Sequence, residues 1–319
     1  MIPRVTLLAG GVGGAKLAEG LAAICPSERL SVIGNVADDQ EFHGLWVSPD
    51  IDTLTYSLAN MIDRQQGWGL ANDSHGVLTA LERFGCDTWM TLGDQDMATH
   101  IFRTQLRRQG IRPSAIAQSI ANSLGVKINL LLPTDDCLQT MIKTDQGWLA
   151  FQEYFVREHC KPEVLEIRFE GANHARPTYE ALEAIENADL LLIAPSNPVV
   201  SIAPILAVPG IRQAIENSHA VKLAVSPLIG GQTVKGPADR MLTAMGYSSS
   251  NLGVAANYAG LIDGLIIDES DRADQDALEA EGLRVMTTST LMTCLEDKAR
   301  LAKETLTFAS ACRRQEVER

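Results

Sequence analysis

Two aspartates stand two positions apart in SPDIDTLTYSLAN, the segment of residues 48–60. Asp50 and Asp52 lie where an extended stretch meets a predicted helix. Carboxylates in this place either stabilise a helix N-terminus or perform chemistry, as ligands of Mg²⁺ or as acceptors of a proton from a hydroxyl nucleophile. Both interpretations stay open on these residues alone.

A second acidic segment, TLGDQDMATHIFRT, occupies residues 91–104. Asp94 and Asp96 are followed by His100 and Arg103 on a predicted helix. We expect the single histidine to be structural rather than catalytic, so this segment repeats the acidic theme without defining a reaction.

Four glycines interrupt LLAGGVGGAKLAEGL, residues 7–21, between an apolar run and a predicted helix. The segment matches neither G-x-G-x-x-G, which needs a glycine in place of Lys16, nor the P-loop, which needs Gly-Lys-Ser/Thr. Close glycines still let backbone N–H groups approach an anion at the positive end of a helix. The residues predicted to bind a phosphorylated donor here are Gly10, Gly11, Gly13, Gly14 and Lys16.

Polar turns also follow the later predicted strands. Ligands of open α/β sheets bind beyond the carboxyl ends of the strands, so these turns are further candidates. One such turn alone is weak evidence, but four of them at predicted strand ends together favour a ligand-binding site. The turn residues are Asn35, Asp38, Asp39, Ser196, Asn197, Pro198, Ser226, Pro227, Gly230 and Gly231, with Lys235 and Arg240 as nearby cations.

The predicted elements indicate an α/β fold, with a Rossmann-like, mostly parallel sheet and helices on both faces. Strands are predicted at 4–9, 29–35, 190–194, 220–225, 261–271 and 283–290, and the first helix at 15–24. The middle of the chain is mostly helical in pattern, apart from a strand at 127–132. We therefore predict a Rossmann-like core of residues 1–55 and 161–319, with a smaller, mainly helical insertion lobe at 56–160.

The overall composition restricts the class of function. A net charge of −13 over 319 residues argues against a general nucleic acid binder but not against a small anionic ligand. The six cysteines have no metal-like spacing and are expected to be isolated, buried thiols kept reduced in the cytoplasm. No signal peptide or membrane span is apparent, so a cytoplasmic protein is expected, and a homodimer is the usual oligomeric state.

Motifs of covalent hydrolases and zinc peptidases are missing from the sequence. Transfer of a phosphoryl-type group needs chiefly positioning, a metal ion and charge neutralisation, which glycine turns and aspartates can provide.

Assembled in order, these segments resemble the 2-phospho-L-lactate transferase family of coenzyme F420 biosynthesis. The similarity spans residues 7 to about 300, and PSNP with SPDIDT is its most specific part. The matching segments are LAGGVGGAKLAEGL, NVADD, HGLWVSPDIDTLTY, LGDQDMATHIFRT, APSNPVVSIAPILAVPGIR and AVSPLIGGQTVKGPA.

The resemblance implies a specific transfer reaction. The acceptor is the deazaflavin FO, whose ribityl chain ends in a hydroxyl, and the donor is a three-carbon acid phosphate joined to GMP by a diphosphate. The family uses Mg²⁺, releases GMP and makes a phosphodiester without a redox step. Phosphoenolpyruvate, phospholactate and 3-phosphoglycerate donors all remain open, with phosphoenolpyruvate favoured.

The resemblance also implies roles for individual residues. Its deazaflavin contacts fall on Asp52 and Thr91, and relatives often carry a basic residue at the latter position, so Thr91 departs from the pattern. Asp52 with Mg²⁺ is the expected catalytic residue, orienting and deprotonating the ribityl hydroxyl. The resemblance also implies that the glycine turn, Asn35 and Ser196 to Pro198 face the guanylyl donor, and Asp38, Asp39 and Asp50 are further candidates for binding Mg²⁺.

Two other functions are compatible with parts of the sequence. An NAD(P)- or nucleotide-sugar-dependent Rossmann enzyme would need an intact G-x-G-x-x-G and an acid closing the second strand, where Asn35 stands. A non-catalytic nucleotide-binding regulator would keep the glycine turn but would not need the paired aspartates.

Overall fold

The computed structural model describes residues 2–234 and 236–317, so the candidate cation Lys235 lies outside the described residues. Its helices are α1 (Gly11–Ile24), α2 (Pro49–Leu58), α3 (Gly76–Arg83), α4 (Asp94–Arg108), α5 (Pro113–Ser123), α6 (Tyr179–Glu186), α7 (Ala203–Ala207), α8 (Ile211–Asn217), α9 (Ala238–Ala244), α10 (Asn251–Asn257), α11 (Gln275–Ala280) and α12 (Leu295–Val317). Short 3₁₀ or π turns occupy Ser27–Arg29, Glu153–Arg157, Ala172–His174, Pro198–Ile202 and Glu269–Asp274.

The strands form one large sheet and three small ones. They are β1 (Val5–Ala9), β2 (Leu30–Gly34), β3 (Gln40–Phe42), β4 (Leu45–Val47), β5 (Asn129–Leu131), β6 (Gln139–Thr144), β7 (Gly147–Ala150), β8 (Glu166–Glu170), β9 (Leu190–Ile193), β10 (Val221–Val225), β11 (Leu228–Ile229), β12 (Gln232–Thr233), β13 (Gly264–Asp268) and β14 (Arg284–Thr288).

The large sheet has seven strands in the order β14-β13-β10-β9-β1-β2-β5, and all its pairs are parallel. Every residue of β1, β9 and β13 is buried, as expected for strands covered on both faces. The predicted α/β class with a mostly parallel sheet is confirmed. From β1 the chain moves outward through β2 and β5, and later through β9 to β14, so the topological switch point lies between β1 and β9.

The first helix begins earlier than the sequence predicts. It was expected from Ala15, but it starts at Gly11, with Gly10 as an extended N-cap residue. Glycine has a low helix propensity, so the pattern indicates a turn. Packing against the turn after β9 holds these glycines in the first helical turn instead.

The middle of the chain contains more strand than expected. The predicted strand at 127–132 corresponds to β5, which joins the large sheet beside β2. In addition, β6 pairs with β7 and β8 in an antiparallel sheet that the sequence pattern missed. Because β6 and β8 lie on opposite sides of the proposed boundary at 160/161, the division into core and lobe stays a prediction.

Two further sequence expectations concern the cysteines and membrane spans. All six cysteines are free thiols, but the expectation that they are buried is wrong for Cys86, Cys137 and Cys294, which are exposed. Among the described residues, no single helix is long and apolar enough to cross a membrane. One pair bent by 88°, Pro198–Ala207 with Ile211–Asn217, passes that test by length and composition alone.

Candidate active site

A cleft of about 380 Å³ opens at the carboxyl ends of β1 and β9, where the strand order reverses. Three sets of residues line part of it: the first turn of α1, the turn at 195–197 and the start of α2. Residues from 226–238 and 290–292 continue the same wall. The sequence placed its candidate residues at strand ends, and the fold brings most of them into this cleft.

Hydrogen bonds fix the glycine turn from two sides. The Gly10 N–H donates to Ser196 Oγ at 3.1 Å, and Ser196 Oγ donates to the Gly10 carbonyl at 2.7 Å. The Gly11 N–H donates to Asp50 Oδ1 at 2.8 Å. The next two amides, of Val12 and Gly13, precede the first intrahelical hydrogen bond of α1. These two N–H groups are therefore the ones suited to bind an anion, rather than all the glycine amides.

The glycines are also required by close packing. A Cβ on Gly10 would lie 2.5 Å from Asp50 Oδ2, and a Cβ on Gly14 would lie 2.8 Å from Ser196 Oγ. A Cβ on Gly13 would overlap the Pro195 carbonyl oxygen. The side-chain-free turn thus lets α1 approach both the β9 turn and Asp50.

Asp50 and Asp38 form an acidic pair on the floor of the cleft. Asp50 accepts hydrogen bonds from Gly11 and, at 2.9 Å, from Asn35 Nδ2. Burial raises the pKa of Asp50 to about 6 despite these donors. Burial, followed by the neighbouring Asp50 charge, raises the pKa of Asp38 well above its usual range. Asp38 Oδ1 is buried with no hydrogen-bond partner among the described residues.

Asn35 supports this acidic pair instead of facing the cleft. It is fully buried, donates to the Val200 carbonyl at 3.3 Å as well as to Asp50, and accepts from the Ala37 N–H. Its predicted contact with the donor is thus not direct in this arrangement.

Asp39 points to the other side of the same loop. Its Oδ2 accepts hydrogen bonds from Trp46 Nε1 at 3.1 Å and Ser48 Oγ at 2.7 Å. It borders a second cavity of about 20 Å³ that also contacts Arg103. Burial raises the pKa of Asp39 to about 7. The structure therefore separates Asp39 from the pair of Asp38 and Asp50.

Asp52 lines the cleft and forms a buried ion pair with Arg103. The guanidinium donates to both carboxylate oxygens, at 3.1 Å to Oδ2. His100 Nδ1 lies 3.7 Å from Asp52 Oδ2, and His100 Nε2 lies 3.4 Å from Asp96 Oδ1. The two acidic segments of the sequence thus meet in the lining of the cleft, to which Asp52, Asp96 and His100 all contribute.

Asp94 has a structural role on the neighbouring helix. Its carboxylate accepts from the N–H groups of Gly76 and Val77, both at 2.9 Å, and from Ser74 Oγ at 2.7 Å. These bonds lower the pKa of Asp94, with the Val77 N–H contributing most. It therefore satisfies the N-terminus of α3, as an acidic residue at a helix start commonly does.

The remaining predicted donor contacts lie around the same cleft. Lys16 lines it and donates to the Met292 carbonyl at 2.8 Å. Asn197 also lines it and accepts from the Val199 N–H at 3.0 Å. Pro198 is buried in the turn that follows. Arg240 points elsewhere and donates to the Cys160 carbonyl.

Part of the cleft lining is apolar, which the sequence did not indicate. This part includes Trp68, Met90, Phe151 and Phe155 beside the predicted contact Thr91. The indole of Trp68 is 43 % exposed and the ring of Phe155 is 40 % exposed. No short motif joins these positions, because they come from separate loops and the end of the small antiparallel sheet.

Known proteins are similar to this chain over most of its length. A family model described as 2-phospho-L-lactate transferase CofD matches residues 5–305. The chain belongs to this family. Among its relatives, the 2-phospho-L-lactate transferase of Methanosarcina acetivorans is 39 % identical, over 93 % of this chain and 96 % of its own length. The phosphoenolpyruvate transferase of Kitasatospora aureofaciens is 40 % identical, over 97 % of this chain and 99 % of its own length.

A solved structure shows the same fold at lower identity. Protein BH3568 from Bacillus halodurans superposes with a TM-score of 0.65 and 18 % identity, covering 96 % of this chain and 100 % of that one. Family membership confirms the resemblance noted in the sequence and identifies the chain as a transferase.

Proposed function

We propose that this enzyme transfers a phospho-three-carbon-acid group from a guanylylated diphosphate donor to the ribityl hydroxyl of the deazaflavin FO. GMP is released, and the product is the phosphodiester F420-0 or its dehydro form. The observation that carries this proposal is the composition of the cleft lining. Helix-terminal amides and the aspartates Asp38, Asp50 and Asp52 line the cleft together with Trp68 and Phe155, whose aromatic rings are suited to contact a planar ring system.

The polar part of the lining suits the donor diphosphate. The amides of Val12 and Gly13 lie at the positive end of α1, where an anion is favoured. Lys16 on the same helix and Asn197 across the cleft line the adjoining space. Residues 226–238 then provide room for the guanosine part.

Asp38 and Asp50 fit a magnesium ion better than the other predicted ligands do. Their carboxylates are buried close to one another in the cleft. Asp38 Oδ1 has no hydrogen-bond partner among the described residues, so a cation or a water molecule would satisfy it. Asp52 has both oxygens bound by Arg103, and Asp39 faces the second cavity. When bound between Asp38 and Asp50, Mg²⁺ would supply charge neutralisation for the diphosphate.

Asp52 is suited to receive the acceptor hydroxyl. It lines the same cleft as Trp68 and Phe155, and we propose that a ring held by these two side chains extends its ribityl chain toward this carboxylate. We propose that Asp52 orients the hydroxyl and accepts its proton.

The bonds of the reaction balance without a further reactant. The ribityl oxygen bonds to the phosphorus nearer the three-carbon acid, and the bond from that phosphorus to the bridging oxygen breaks. GMP leaves with the bridging oxygen, and the hydroxyl proton passes to Asp52. Amides of the α1 first turn face the charge that collects on the departing phosphate.

Phosphoenolpyruvate is the proposed three-carbon acid. Relatives named for phosphoenolpyruvate and for phospholactate are equally similar to this chain, at 40 % and 39 % identity. A direct comparison of the guanylylated donors is therefore needed to distinguish phosphoenolpyruvate from phospholactate.

The test is an incubation with FO, Mg²⁺ and each guanylylated donor in turn, with GMP measured by chromatography. We expect GMP to appear only when FO is present, and fastest with the phosphoenolpyruvate donor. GMP from none of the donors, together with tight NAD(P) binding, would favour a Rossmann dehydrogenase instead.

A further inference from the structure

Arg103 is buried behind Asp52 and does not line the main cleft. Only 4 % of its surface is exposed, and it borders the small cavity beside Asp39. Its two terminal nitrogens each donate to one oxygen of Asp52. A guanidinium that grips both oxygens fixes a carboxylate in position and in rotation.

His100 supports Arg103 from the same helix. Its Nδ1 lies 3.1 Å from Arg103 Nη1, and a guanidinium nitrogen can only donate. Nδ1 therefore accepts from the guanidinium, and Nε2 lies 3.4 Å from Asp96 Oδ1. The fully buried imidazole thereby holds the guanidinium beside the Asp52 carboxylate.

A second contact clamps the same two helices. Tyr56, one turn after Asp52 on α2, donates its hydroxyl to Asp96 Oδ1 at 2.6 Å. Asp96 lies two turns before Arg103 on α4. The two helices are thus joined at two points, which prevents α2 from turning Asp52 away from the cleft.

This cluster is not itself arranged for a metal. Ligand atoms of Asp52, Asp96 and His100 lie within 4.8 Å of one another. However, the Arg103 guanidinium already binds both Asp52 oxygens and the His100 lone pair, so its positive charge occupies the place that a cation would take.

We propose that Arg103 is a positioning residue for the transfer, holding Asp52 so that its remaining lone pairs meet the acceptor hydroxyl. A carboxylate has about four lone-pair sites, and Arg103 takes two of them. His100 holds Arg103 in turn. This inference rests on the proposed function, in which Asp52 receives the hydroxyl.

The test is a double-mutant cycle of Arg103→Gln and Asp52→Asn, read as GMP release. We expect Arg103→Gln to lower kcat about 100-fold, with the KM for FO changing less than about threefold. In the Asp52→Asn background, the same change should alter kcat by less than about threefold, because the group it positions has lost its charge. Losses that multiply in the double variant overturn the proposal.

Arg103→Lys and Arg108→Gln complete the design. Lysine keeps the charge but cannot grip both oxygens, so we expect kcat per folded molecule to fall about tenfold. Arg108, exposed on the same helix, should be replaceable without effect. If Arg103→Gln does not fold by circular dichroism, the cycle is run with Arg103→Lys.

Two outcomes separate this proposal from the proposed function. A wild-type enzyme that releases GMP, with Arg103→Lys fully active per folded molecule, overturns the positioning role alone. A wild-type enzyme that releases no GMP with any donor overturns the proposed function, and the positioning role falls with it.

Discussion

Asp52 is the residue on which the proposed chemistry depends most. It lies in the cleft, and its carboxylate is held from behind by Arg103. The sequence indicated Asp52 through the paired aspartates of SPDIDT and the family resemblance, but it did not indicate that Arg103 is the partner of this carboxylate. Arg103 is 51 positions away and is brought close only by the packing of α4 on α2.

We expect Asp52→Asn to lower kcat about 100-fold or more at saturating FO and Mg²⁺, because the amide can no longer accept the hydroxyl proton. GMP release measured at saturation provides the test. Asp145→Asn, at an exposed hairpin position, is the matched control and should leave kcat unchanged. Wild-type turnover by Asp52→Asn would remove this residue from the mechanism.

Gly13 tests the packing of the α1 first turn against the turn after β9. In Gly13→Ala, the methyl group overlaps the Pro195 carbonyl, so α1 must move away from the cleft. We expect the KM for the donor to rise at least tenfold, about 1.4 kcal/mol of lost binding. Steady-state kinetics with varied donor is the measurement.

Gly76→Ala is the control for this change. Gly76 also lies in the first turn of a helix, but its added methyl would lie 3.2 Å from Asp94 Oδ2, which needs only a small shift to make room. It should leave the KM for the donor unchanged. Equal effects of the two substitutions would show that the α1 turn has no special relation to the donor.

Among the secondary-structure elements, the sequence predicts the central strands of the large sheet best, because these strands are buried on both faces. The largely apolar runs LLLI and GLIID are fully buried, so the strands β9 and β13 can be recognised from the sequence alone. The strand β6 alternates with polar residues and pairs with distant β8, so its pattern is weaker. The predicted start of α1 was wrong, because the sequence does not distinguish glycines that pack closely inside a helix from glycines that form a turn.

The aromatic wall is an element-scale feature, since Trp68, Phe151 and Phe155 come from different segments. We expect Trp68→Leu to raise the KM for FO about tenfold while kcat changes less than threefold, because aromatic contact area is lost without disturbing the polar floor. Quenching of tryptophan fluorescence by FO should weaken in parallel.

Trp148→Leu is the control for the aromatic wall. Trp148 lies on β7, where its ring packs 3.9 Å from the Arg168 guanidinium, and it is not part of the cleft lining. An unchanged KM for FO in Trp68→Leu would place the acceptor elsewhere.

At the scale of the whole molecule, the long final helix closes against the first. Lys298 on α12 and Glu19 on α1 form a buried ion pair at 2.6 Å, with only 5 % and 7 % of their side chains exposed. Because α1 also carries the turn that we propose binds the donor diphosphate, this contact connects α12 to the candidate active site.

Lys298→Met should lower the free energy of unfolding by about 3 kcal/mol, because Glu19 loses a buried partner and keeps only Arg64. Arg212→Met breaks an exposed pair with Glu216 and should cost less than about 1 kcal/mol. Urea denaturation compares the two variants. Equal losses would contradict the buried character of the α1–α12 contact.

The order of the strands also explains why distant motifs act together. The switch point between β1 and β9 gathers the turns that follow both strands, although they are separated by more than half the chain. The sequence located these turns at strand ends. Only the fold shows that Ser196 and Asp50 accept hydrogen bonds from two of the glycine N–H groups.

Transfer to the deazaflavin hydroxyl is tested most directly by quantifying GMP and the FO phosphodiester in one reaction, with and without FO. The proposed transfer predicts that both products form in equal amounts, that both require Mg²⁺, and that omitting FO abolishes GMP release. GMP formed at the same rate without FO would show donor hydrolysis and contradict transfer to a deazaflavin hydroxyl.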